Sequence, residues 1–166
     1  LLRSGALTAT QDYLDAHPRT AAVYGRCDYI DEKNNQVWHN RSGRWAAPLL
    51  RVGPDLIPQP GSLFRRESYL KTSGLRTDLG WAFDMDIFLQ LSRQGRLSYV
   101  PRTLAAFRWH TESLSVAQRG KSVAEASAVR RGYLPRWLRP ISVLWEGPVR
   151  WMTYRAGDVV IKGAKQ

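Results

Sequence analysis

Trp81-Ala82-Phe83-Asp84-Met85-Asp86-Ile87-Phe88-Leu89-Gln90-Leu91 is the stretch from which the fold is read. Positions 84, 87, 88 and 91 share one face at helical spacing, and three of them, Ile87, Phe88 and Leu91, are apolar. The spacing predicts a helix from Asp84 that ends near Gly95. Asp84 stands at the mouth of the apolar stripe, in the first turn, where backbone N–H groups lack partners and the helix dipole is positive. It reads in two ways: as an N-cap, with Asp86 a first-turn acid, or as a working carboxylate.

Working downstream, Leu97 to Val100 and Leu104 to Trp109 read as two strands, the second ending on His110. Upstream, residues 4–16 read as a helix capped by Ser4 and stopped before Pro18. His17 at that end reads as a favourable C-terminal charge. Ala21 to Tyr24 reads as a buried strand broken by Gly25, and residues 28–39 as a hairpin bending at Asn34-Asn35. Asp28 and Asp31 at the strand ends are polar residues meeting water or, alternatively, ligands. Residues 45–52 give one or two helical turns. Ile57 to Arg66 is a loop stiffened by Pro58 and Pro60 that enters a short strand, and Glu67 to Thr72 a short helix with Gly74 as its stop.

A 166-residue chain with 43% hydrophobic and 23% charged residues has enough apolar content for a core, which excludes a disordered or fibrous class. No run approaches the roughly 18 apolar residues of a membrane span. Cys27 is the sole cysteine, so an internal disulfide and a Cys-rich zinc site are both excluded, and a reducing compartment fits. Glycine-rich phosphate loops, GxSxG and HExxH are absent. The chain starts at Leu1 rather than Met, which reads as the continuation of a longer sequence.

The net charge of +11 is uneven. Residues 1–116 carry 15 Lys/Arg against 11 Asp/Glu, and residues 117–166 carry 10 against 3. The texture changes at the same point. A helix is expected over 117–133, and beyond it three of the seven tryptophans alternate with arginines. The two readings of 117–166 are a basic segment on an anionic membrane surface and a helix pair packed on the domain. The charge and aromatics also admit a nucleic-acid-binding module, although no DNA- or RNA-reading motif is present and nucleic acid is not the expected partner.

Four segments, taken in order, resemble the carboxyl-terminal half of a family 2 glycosyltransferase catalytic domain. GALTATQDYLDAHPRTAAVYG resembles the helix and strand after that family's metal-binding DxD, and CDYIDEKNNQV the next hairpin. IPQPGSLFRRESYLKTSGL resembles the acceptor-side segment. GWAFDMDIFLQLSRQGRLSYVPRTLAAFRWHTESLS resembles the acidic helix start, its strand and the closing histidine. The resemblance covers residues 1–116. Gln90 stands where many relatives carry arginine, and Phe83 where many carry glutamate.

The resemblance implies an α/β fold: a partial GT-A-type mixed sheet with flanking helices, its nucleotide-binding half lying before Leu1, plus the helical tail. It implies transfer of a sugar, with inversion, from a nucleoside-diphosphate donor to a saccharide or lipid-linked acceptor, in cell-surface polysaccharide or glycolipid synthesis. By match to the motif, Asp84 is the catalytic base and His110 a metal or diphosphate ligand. Trp81 is the candidate for stacking on a sugar ring, and Gln59 and Ser62 for substrate contacts. Mn²⁺ or Mg²⁺ is the implied cofactor, and the implied location is cytoplasmic, peripheral at the inner face of the membrane. A non-catalytic interaction domain on the same fold is the alternative.

Overall fold

A computed structural model describes residues 1–40, 43–108 and 118–163, the last eight as backbone only. Its elements are α1 (Ala6–Ala16), β1 (Thr20–Ile30), β2 (Gln36–Asn40), α2 (Ala46–Leu49), β3 (Leu63–Phe64), α3 (Arg66–Leu70), α4 (Phe83–Leu91), β4 (Arg96–Arg108), α5 (Arg119–Tyr133), a 3₁₀ turn (Pro140–Ser142) and α6 (Val143–Gly163). The class is mixed α/β, as expected. Every other strand pairs with β1: β2 and β3 antiparallel, β4 parallel. Residues 1–3 lie antiparallel on β4, with Arg3 N–H donating to the Leu104 carbonyl at 2.9 Å. Among the described residues, no helix is long and apolar enough to cross a membrane.

The hairpin forms as read. Asn34 takes the left-handed conformation at φ 67°, and the Asp31 carboxylate accepts from the Asn35 backbone at 2.7 Å. A short polar side chain that bonds its own turn favours this bend.

Gly25 does not break β1, and the two expected downstream strands are one. β4 runs from Arg96 through Pro101 to Arg108, and Tyr24 pairs with Tyr99 while Arg26 pairs with Thr103. Four positions of β4 thus span two of β1, so β4 bulges around Pro101, a proper place for a residue without a ladder N–H. Gly25 lies under that bulge. A Cβ there would come within 2.6 Å of the Arg102 carbonyl oxygen and of Leu104. Gly25→Ala is therefore expected to cost about 2–3 kcal/mol by overpacking, read as a fall of several degrees in a thermal melt.

α4 differs from the one-faced helix expected. Met85 through Leu91 are all buried, because β1 and β4 pack against it from one side and α5 from another. A helix enclosed in this way is apolar nearly all round. It ends at Leu91, four residues before Gly95, and the chain then turns through Gln94 and Gly95 N–H bonds to the Leu91 carbonyl.

Ser4 does not cap α1. Gly5, at φ 66°, holds the cap position, and the Ser4 carbonyl accepts from Arg102 instead. His17 is tied to its own helix end, stacked on Tyr13 with ring centroids 4.0 Å apart.

Candidate functional site

A cleft of about 570 Å³ opens between the Pro54–Pro60 loop, the start of α4, and α5 with α6. Trp81, Asp84 and Gln59, singled out separately in the sequence, all line it. Ser62 is not among the lining residues: its hydroxyl donates to the Pro58 carbonyl at 2.7 Å and its N–H to the Gln59 carbonyl at 3.1 Å. It shapes the loop that presents Gln59. His110 lies outside the described residues, as does Trp109.

Asp84 is half-buried and is not the N-cap of α4. Ala82 holds that position, and the Asp84 Oδ1 accepts from the adjacent Met85 N–H at 2.8 Å. Burial pushes its carboxyl above the usual range, against the pull of that N–H. A residue that drew no notice in the sequence stands beside it. Asp55, in the loop after Gly53-Pro54, lines the same cleft and interacts electrostatically with Asp84. Its pKa is pushed up to about 8, first by burial and then by the Asp84 charge, although the Ile57 N–H donates to it at 3.0 Å. With its pKa near 8, Asp55 holds its proton near neutral pH, so its carboxyl is uncharged there.

The stability consequence has a definite sign. A carboxyl raised from 3.8 to about 8 favours the folded state fully at low pH, and that advantage is lost as pH rises towards 8. Asp55→Asn keeps an acceptor for the Ile57 N–H but has no charge to bury. The variant is expected to match the parent near pH 4 and to exceed it by a growing margin as pH rises towards 8. Thermal melts across that range measure the difference.

Glu125, on α5, does the capping that Asp84 does not. Its carboxylate accepts from the N–H groups of Gly80 (3.0 Å), Trp81 (2.7 Å) and Ala82 (2.7 Å). Partial burial pushes its pKa up, but the three donors outweigh burial and hold it below the ordinary value. Asp86, for which one reading was a first-turn acid, is buried and satisfied: it accepts from Tyr133 Oη at 2.9 Å and from Gln90 Nε2 at 2.6 Å. Gln90 also accepts from Ser73 N–H and donates to the Gly74 carbonyl, which fixes the loop entering the site.

The other walls are mixed. Phe83 and Phe107 supply apolar surface, and Arg119 and Arg150 positive charge. Arg130 is only 3% exposed and donates to the Gly53 carbonyl at 2.9 Å, anchoring the Asp55 loop to α5. The indole N–H of Trp81 is buried and has no hydrogen-bond partner among the described residues. Cys27 also lines the cleft, but burial raises its thiol to about 11, which keeps it protonated and unreactive. Asp28 is committed elsewhere: Arg3 donates to it at 2.6 Å, and it pairs with its cross-strand neighbour His39.

Among the described residues, no group of three or more His, Cys, Asp or Glu side chains could hold a metal. Asp55 and Asp84 alone would leave a hard divalent cation most of its six or more ligands to find elsewhere. Chemically, the cleft offers a carboxylate of raised basicity, an aromatic wall, an amide and nearby positive charge.

No protein-family model matches the chain, and a search of curated proteins finds no match either.

Proposed function

We propose that this chain is the acceptor-side part of a GT-A-type, family 2-like glycosyltransferase, and that Asp84 is its general base. The observation that carries the reading is the Asp84–Asp55 pair in a cleft that also holds Trp81 and Gln59. An aspartate of ordinary pKa, about 3.9, is a weak base towards an alcohol, and desolvation brings it closer to the working pH. Asp55, with its pKa near 8, is protonated near neutrality and sets no charge against the Asp84 carboxylate.

The step balances simply. The acceptor hydroxyl gives its proton to Asp84 as its oxygen forms a bond to the anomeric carbon. The bond from that carbon to the diphosphate oxygen breaks, and the diphosphate leaves with the electron pair. The configuration at carbon inverts. Trp81 offers its face to the apolar side of a sugar ring. Gln59 offers an amide donor and acceptor at the loop edge. Phe83 and Phe107 help keep water from the attacking position. The divalent cation implied by the resemblance would offset charge on the departing diphosphate.

The test is transfer by the intact protein from a panel of nucleoside-diphosphate sugars to saccharide and lipid-linked acceptors, with Mn²⁺ or Mg²⁺ present. Mass spectrometry detects product, and NMR of the anomeric proton reads its configuration. An inverted glycoside is expected; hydrolysis alone, or no turnover of any donor, overturns the reading.

A further inference from the structure

α6 is sided in an unusual way. Its inner face carries Glu146 and Val149, both buried, and Glu146 is paired with Arg131 at 2.5 Å and bonded by Ser142 at 2.9 Å. Its outer face carries Leu144, Pro148, Trp151 and Arg155, in line along the helix. Leu144 is 76% exposed and Trp151 60% exposed, on the side where a packed helix is ordinarily polar. Val143 and Met152 widen this apolar face, and Trp137, 72% exposed, precedes it.

The charge on this surface has one sign. Arg136, Arg139, Arg150 and Arg155 are exposed, and Arg155 lies over the Trp151 ring at 5.3 Å. From residue 134 to residue 155 the sole acid is Glu146, which points inward and is already neutralised. We propose that the outer face of α6, with the preceding turn, docks on an anionic lipid bilayer. Leu144 and Trp151 enter the headgroup–acyl boundary and the arginines meet lipid phosphates. A second copy of this chain fits the face poorly, because it would bring the same arginines against each other. Bare polyanion binding would use the arginines but leave the apolar stripe in water. The helix lies in the interface rather than across it, in keeping with its inner face packed on the domain. Arg150 lines the cleft as well, so docking sets the cleft beside the headgroups.

The experiment is co-sedimentation of the intact protein with vesicles, one set of phosphatidylcholine alone and one with about a third phosphatidylglycerol. Binding to the anionic vesicles is expected to be at least about tenfold tighter, to weaken with salt, and to shift tryptophan emission to the blue. The double variant Leu144→Glu/Trp151→Glu and, separately, Arg136→Glu/Arg155→Glu are each expected to lose binding about tenfold or more. These side chains are exposed, and circular dichroism checks that each variant stays folded. Equal or absent binding to the two vesicle types overturns the proposal. So does full retention of binding by the Leu144/Trp151 variant, or duplex DNA being bound more tightly than anionic vesicles with that variant unimpaired.

Discussion

Asp84→Asn is expected to lower sugar transfer by roughly 10²–10⁴-fold, the contribution of a positioned general base, and to leave the protein at least as stable as the parent. Both halves follow from the same geometry. The amide oxygen of the variant still accepts from Met85 N–H, so the α4 start is unchanged. The amide cannot take a proton from an alcohol, so the chemical step loses its acceptor. The buried charge disappears, and with it the repulsion that raises Asp55. Stability is therefore expected to rise above pH 4 and to stay level at lower pH, where the parent carboxyl is already protonated. The parent's pH–rate profile is expected to show an acid limb above the normal carboxylate range. In Asp55→Asn that limb is expected to stay in place, because Asp55 is already uncharged where Asp84 titrates and burial is what raises Asp84. Steady-state kinetics at saturating donor, together with melts, measure these effects. Parental turnover by the Asp84→Asn enzyme would remove this residue from the chemistry while leaving its cleft in place.

The second large effect is structural. Glu125→Ala is expected to destabilise the protein by roughly 2–4 kcal/mol, because three N–H groups at the start of α4 lose a charged acceptor together. For a chain of this size the melting temperature falls by roughly 5–15 °C. Glu125→Gln keeps an oxygen but not the charge, and a loss of about 1 kcal/mol is expected. The pH dependence has the opposite sign to that of Asp55. Glu125 sits below its ordinary 4.5 when folded, so its contribution is complete above 4.5 and disappears as pH falls through the lowered value. The gap between the parent and Glu125→Gln should close in acid. The same carboxylate holds the backbone of Trp81, so transfer is expected to suffer in Glu125→Ala even where the protein remains folded.

Asp55 and Glu125 mark where local reading stops. Asp84, Trp81 and Gln59 are legible as candidates in the sequence, and they share one cleft, although Gln59 comes from a separate segment. Asp55 looks like any acid in a Gly-Pro-Asp turn; its raised pKa needs Asp84, which is 29 positions away in the chain. Glu125 lies in a run of alanine, serine and arginine with nothing to mark it as the cap of a helix more than 40 residues upstream. The expected cap by Ser4 failed for a similar reason, since a serine before a helix is only one way to satisfy its end.

From the order of residues alone came the elements with strong local causes. The hairpin at Asn34 needed only a side chain that bonds its own turn. The helix through Phe88 needed only a dense apolar run, and the change of character near residue 117 only a count of charges. Contacts across the chain decided the rest. Gly25 became a tight crossing under the Pro101 bulge rather than a break, α4 became enclosed rather than one-sided, and α5 brought the carboxylate that holds the site's backbone. Hydrogen bonds and charge repulsion act over a few ångströms, and only folding makes residues 55, 84 and 125 neighbours on that scale.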